Sequence, residues 1–178
     1  MRLREYFEIG LTPEAYADLL DEKQRRLHEH HERRAEIDPQ AVDRLRSAGT
    51  FHVLVVTEPW CGDSLAVFPV IAELCCRAGI DLRVVRRDEH PELIDRYLTN
   101  GGQAIPIAII LNEAFEELSH WGPRPSAAQA ILEEHRDEIA AGRVEKIEVH
   151  KKIRAFYSGD KGRSVVEELL AGFGVRAI

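Results

Sequence analysis

Short apolar runs alternate with polar, helix-periodic stretches along this chain. Residues 52–56 (His-Val-Leu-Val-Val) are a β-branched run that predicts a buried strand. From Leu65 to Gly79, Val67, Phe68, Ile71, Leu74 and Cys75 recur at helical spacing, and a glycine closes the segment. Asp81 to Arg86 predicts a second strand. Strand, helix and strand of these lengths make a βαβ unit with a right-handed crossover. Asp88 is a candidate cap for a short helix from Pro91 to Leu98, and Asn100-Gly101-Gly102 breaks the chain after it. Ile107 to Leu111 predicts a third strand, which Asn112-Glu113 turns into a fourth near Glu117 to Trp121. A helix over 126–140 completes a β-α-β-α-β-β-α core, an α/β layer on a mixed sheet.

Both flanks read as helical. Thr12-Pro13-Glu14 is a helix start: a hydroxyl cap, a proline in the first turn, then an acid. One polar helix is expected from there to about Arg34, with Ala15, Leu19, Leu20 and Leu27 as its apolar stripe. Asp38-Pro39 starts another that ends near Gly49. In the tail, Val149, Ile153, Phe156 and Tyr157 have helical spacing; Ser158-Gly159-Asp160 should break that helix, and Val165 to Leu170 should form a last one. The chain thus divides into an N-terminal helical extension (1–49), a core domain (50–140) and a C-terminal helical extension (141–178), with the extensions packed on the core.

Composition narrows the function classes. Hydrophobic residues at 44% and charged residues at 31% of 178 suffice for a core, while a net charge of −7 argues against a nucleic-acid binder. No apolar run approaches the ~20 residues of a membrane-spanning helix, and Met1 to Tyr6 carries charges where a secretory leader would be apolar. Cys61, Cys75 and Cys76 are too few and odd in number for a disulfide framework. A cytoplasmic protein with no membrane or nucleic-acid partner and no cofactor is expected. Residues 21–46 hold seven basic and seven acidic side chains, the mark of a solvated helix surface. His28 and His31 could share a helix face and hold a metal, but solvent-exposed histidines are the stronger expectation.

The candidate chemistry lies at Trp60-Cys61-Gly62-Asp63-Ser64, between a strand end and a helix start. The free N–H groups and dipole of a first helical turn favour a thiolate, which is the nucleophile of thiol–disulfide exchange. Asp63 opposes that ionisation unless it caps the helix. Cys75 and Cys76 cannot resolve a disulfide at Cys61, because 14 or 15 helical residues span about 20 Å and a disulfide needs Cα atoms within about 7 Å. Cys75 reads as a core residue and Cys76 as its partly exposed neighbour. Arg87 and Asp88 fall at a strand's C-terminal end, where open α/β sheets bind ligands; a helix cap and its ion pair is the favoured reading. Trp121-Gly122-Pro123-Arg124 reads as a loop at the domain edge, with Arg124 a weaker candidate for an anion contact.

Over roughly residues 50–140 the sequence resembles the thioredoxin superfamily. Trp60 before Cys61, Pro69 eight residues after it, and Ile105-Pro106 directly before the third predicted strand carry the likeness. A more specific similarity is to a poorly characterised bacterial branch, through Trp60 to Asp63, Arg87-Asp88-Glu89, Tyr97 to Gly102 and Trp121 to Pro125. The resemblance implies a thioredoxin-like fold with a cis proline at Pro106 lying against Cys61. It also implies catalytic roles for Cys61 and Ser64, with Trp60, Gly62, Asp63, Ile105 and Pro106 meeting the substrate. Two departures matter. The family's second cysteine is Ser64, and its buried aspartate is Val55. The expected activity is therefore monothiol disulfide exchange at Cys61 on protein disulfides or a low-molecular-weight thiol such as glutathione, with an external thiol resolving the product. The alternative is a redox-inactive thioredoxin-fold scaffold.

Overall fold

A computed structural model describes residues 1–175. Four strands, β1 (Phe51–Thr57), β2 (Asp81–Arg86), β3 (Ile107–Asn112) and β4 (Glu117–Trp121), form one sheet in the order β2-β1-β3-β4. β2 runs parallel to β1, while β3 and β4 are antiparallel to their neighbours. This is the thioredoxin-like mixed sheet expected from the pattern. Side chains alternate across the pleat, and both faces are covered. Val53 and Val55 face one core with Ala108 and Ile110; Leu54 and Val56 face a second with Ile107 and Ile109. Double coverage explains why β1 reads as an unbroken apolar run.

Helix α5 (Gly62–Ala78) crosses from β1 to β2 and ends on Gly79, whose φ of 73° is the left-handed turn that favours glycine. The N-terminal extension is four helices, and two of them stand where one long helix was expected. α1 (Leu3–Ile9) precedes it, and α2 (Pro13–Ala17) and α3 (Glu22–Arg34) split at Asp21, whose carboxylate caps α3 by accepting from the Gln24 N–H at 2.8 Å. That capping box outweighs the continuous stripe, and Leu19 and Leu27 are left exposed. α4 (Pro39–Ala48) follows as read.

This extension contributes directly to the cores. Tyr6 and Phe7 of α1 join one, and Tyr16 joins the other with its ring 4.9 Å from that of Phe68. An aromatic pair of this kind adds about 0.5–1.5 kcal/mol beyond area burial. Leu11 and Val84 exchange two backbone hydrogen bonds of 2.8 Å, so the extension also covers the free edge of β2.

Other breaks fall differently from the pattern. α6 is only Pro91–Ile94, and His90 rather than Asp88 is its N-cap. The 126–140 segment is α7 (Ser126–Glu134) and α8 (Arg136–Ala140), interrupted at His135. α9 (Lys146–Asp160) runs through Ser158-Gly159 and stops at Lys161, whose φ is 55°; α10 (Arg163–Gly172) begins after Gly162. Val149, Ile153 and Tyr157 of α9 and Val165, Val166, Leu169 and Leu170 of α10 lie in the same core as α5.

The histidines of α3 correct another expectation. His28 is buried, its ring 5.8 Å from that of Phe68, and His31 is half-buried. Among the described residues no group of three or more metal-ligating side chains gathers around them. Burial, reinforced by His30, Arg34 and His28, pushes the His31 pKa down to about 4, and burial also lowers that of His28. The folded protein disfavours the charged form of both, so the unfolded chain takes up protons first. Their contribution is therefore complete above about pH 6.5 and lost as the pH falls toward 4. Urea midpoints measured across that window should fall with pH, and more shallowly in His31→Gln; an equal slope in the variant would contradict the assignment.

Candidate active site

Cys61 is the N-cap residue of α5, held by a turn in which its N–H donates to the Glu58 carbonyl at 3.2 Å. Its side chain is largely buried, and Sγ donates to the Ile105 carbonyl at 3.4 Å. The Ile105-Pro106 peptide, directly before β3, is cis, and the Ile105 carbonyl faces the sulfur. Cys61, Trp60, Gly62, Asp63 and Ile105 line one cavity of about 400 Å³. Ser64 and Pro106 do not line it: Ser64 is buried within α5, its hydroxyl unpartnered among the described residues, and Pro106 is buried behind Ile105.

Asp63 does not cap α5. One carboxylate oxygen accepts from Arg124 and the other from the Tyr157 hydroxyl at 2.9 Å. All three side chains are mostly buried; those of Arg124 and Asp63 are 12% and 14% exposed. Burial works against the Arg124 charge, but the charge and hydrogen bond of Asp63 outweigh it and raise the guanidinium's pKa. Burial and the Asp63 carboxylate push the Tyr157 phenol up, so it stays a donor. The negative charge two residues from Cys61 is thus matched by a cation within hydrogen-bonding distance. Arg124 is an anion contact, but to an internal anion, and its loop belongs to the site rather than the domain edge.

Trp60 is 54% exposed and forms the rim. Its indole N–H donates to Asp88 at 3.2 Å, and the Arg87 guanidinium sits 4.7 Å from its ring centroid. Arg87 pairs with Asp88 at 2.6 Å and donates to the Gln103 carbonyl at 3.2 Å, tying the rim to the segment before Pro106. The Arg87–Asp88 ion pair is therefore present, while the cap is not.

Sequence reasoning missed two parts of this arrangement. Glu58 is fully buried; it accepts from Arg86 Nε and Nη2 at 3.2 Å each and from the Asp88 N–H at 2.9 Å. It fastens the Cys61 turn to the end of β2. The signal was available, because parallel pairing sets Thr57 against Arg86 and brings the next residue, Glu58, alongside. The second is the α9 wall, where His150, Ile153, Arg154 and Tyr157 line the Cys61 cavity. No local spacing announces a helix some ninety residues downstream.

Gly122 supports the site from below. Its φ is 128°, and a Cβ there would lie 2.1 Å from the Pro106 carbonyl oxygen. Gly122→Ala should cost at least about 2 kcal/mol through overpacking and backbone strain, displacing the Pro106 segment. Denaturant unfolding checks this, and a loss under half that size would contradict the close approach. Cys75 is buried within the core and Cys76 is exposed, both on the unbroken α5. Burial drives the Cys75 thiol's pKa upward.

Comparisons with known proteins agree with this architecture. A family model described as thioredoxin matches residues 10–138. No curated protein matches the chain. A protein of unknown function, PA1234 from Pseudomonas aeruginosa, is similar in structure, with a TM-score of 0.74 and 18% identity over 98% of each chain. An HIV epitope-scaffold is similar to the same degree, with a TM-score of 0.73 and 18% identity over 98% of each chain. At that identity the likeness is one of fold. Among the described residues no helix is long and apolar enough to cross a membrane. With its sheet order, its cis Ile105-Pro106 peptide beside Cys61 and a family match over most of its length, the chain belongs to the thioredoxin family.

Proposed function

We propose that this protein is a monothiol thiol–disulfide oxidoreductase whose nucleophile is Cys61. The observation that carries the reading is the placement of Sγ: at the N-terminus of α5, against the Ile105 carbonyl, on the wall of an open cavity. The helix terminus offers free N–H groups to a thiolate, and the Asp63–Arg124 pair keeps the nearby carboxylate from acting as an unmatched charge.

The cycle needs two exchanges. The Cys61 thiolate attacks one sulfur of a disulfide; a Cys61–sulfur bond forms, the substrate S–S bond breaks, and the other half leaves as a thiolate. With serine at position 64 and Cys75 about 20 Å away along α5, nothing near Cys61 resolves the mixed disulfide. An external thiolate, such as glutathione, attacks it, forms a new disulfide with the bound half and restores Cys61. Overall one disulfide and one thiol become another disulfide and another thiol, and the count of oxidised sulfurs is unchanged.

Steady-state turnover of hydroxyethyl disulfide with glutathione tests this. Two exchanges through a covalent intermediate predict ping-pong kinetics. A rate no higher than the uncatalysed reaction would contradict the reading and favour the scaffold.

A further inference from the structure

The walls of the Cys61 cavity are asymmetric in charge. Arg87, Arg124 and Arg154 line it against a single carboxylate, Asp63. Arg124 is committed to Asp63, and Arg87 to Asp88 and the Gln103 carbonyl. Arg154 is different: it is exposed and makes no hydrogen bond or ion pair among the described residues. Beside it on α9, the Nε2 of His150 is shielded from solvent and also unpartnered. The charges around His150 are Lys146, Arg124 and Arg154 against Asp63, so this wall carries a surplus of positive charge.

Position matters as much as charge. Arg154, Trp60 and Gly62 also line a second recess of about 660 Å³, whose far wall is Asp21 and α3, with Lys23 and with Arg26 paired to Glu22. The Cys61 turn is therefore flanked by α9 on one side and α3 on the other. Both recesses are within the roughly 300–1,000 Å³ range of small-molecule sites.

Resting on the exchange reading above, we infer that the Cys61 cavity is a binding site for a small anionic thiol compound, a low-molecular-weight thiol bearing free carboxylates or its disulfide. Arg154 takes a carboxylate, His150 supplies a further polar contact, and the ligand's sulfur lies toward Cys61. The flanking helices disfavour folded protein disulfides. A guanidinium without a partner is suited to a carboxylate, and the side chains that already have partners shape the cavity around it.

The test separates binding from chemistry. Titration calorimetry of Cys61→Ser with S-methylglutathione, which cannot exchange, should show saturable binding. That binding should weaken roughly tenfold in Arg154→Gln, as the loss of a charge-assisted contact implies, and similarly for the diethyl ester of the same peptide. No binding, or binding that neither change weakens, overturns the inference. In wild type, glutathione disulfide should react faster than the neutral hydroxyethyl disulfide and much faster than insulin; equal rates would overturn it too. Saturable binding without turnover would defeat the exchange reading and leave the site standing. Turnover without charge preference would do the reverse.

Discussion

Cys61→Ser is expected to bring disulfide exchange down to the uncatalysed background, while Cys76→Ser leaves the rate unchanged. The asymmetry follows from position. Cys61 lies on the cavity wall at a helix N-terminus, whereas Cys76 is on the exposed face near the far end of the same helix. A serine hydroxyl at position 61 ionises too weakly to attack a disulfide at neutral pH, so the loss is one of chemistry. Ser64→Cys is the informative partner. It places a thiol three residues on, within reach along a helical turn, and should release the half bonded to Cys61 without added thiol. The experiment is a single turnover monitored for product release with and without glutathione. Release from Ser64→Cys that still requires external thiol would contradict the monothiol account.

The second large effect falls on stability. Asp63→Ala should destabilise the protein by about 3–5 kcal/mol, because it leaves a buried guanidinium without its counter-ion. Arg124 is only 12% exposed, so solvent does little to compensate. The Tyr157 hydroxyl loses its acceptor in the same step, loosening α9 from the start of α5. For a chain of this size such a loss corresponds to a melting temperature lower by roughly 10 °C. Asp63→Leu combined with Arg124→Met should recover much of it, since removing both charges avoids the unpaired one. Denaturant unfolding of the three proteins measures the effect. A loss below about 1 kcal/mol in Asp63→Ala would show that the pair behaves like a surface salt bridge.

These two predictions draw on parts of the molecule that were unequally legible in the sequence. β2 was readable to the residue, because a strand covered by the core leaves a period-two or continuous apolar signal, while β4, with only Trp121 buried, was readable from the Asn112-Glu113 turn before it. The turn at Gly79 was readable because glycine tolerates the left-handed backbone there. Helix boundaries set by side-chain competition were not. Asp21 stops one helix and caps the next, while Ser158 and Gly159 are carried inside α9 because its buried face continues to Tyr157.

The site divides in the same way. The approach of Ile105 to Cys61 was readable only through the family resemblance, since 44 residues separate them. The Asp63–Arg124–Tyr157 cluster joins three elements, and each member alone has an ordinary local role. Asp63 reads as a first-turn acid, Arg124 as a loop cation and Tyr157 as one apolar position of a helix. Only the packing of α9 against α5 assembles them. The same packing gives the C-terminal extension a wall of the candidate site, which a reading confined to residues 50–140 could not contain.

In the proposed cycle Cys61 forms a mixed disulfide that only an outside thiol releases. The most direct measurement is the intact mass and peptide map of wild-type protein treated with glutathione disulfide, before and after reduced glutathione is added in excess. One glutathione adduct is expected, located at Cys61, persistent until the thiol is added and then lost. No adduct, or an adduct confined to Cys76, would contradict it.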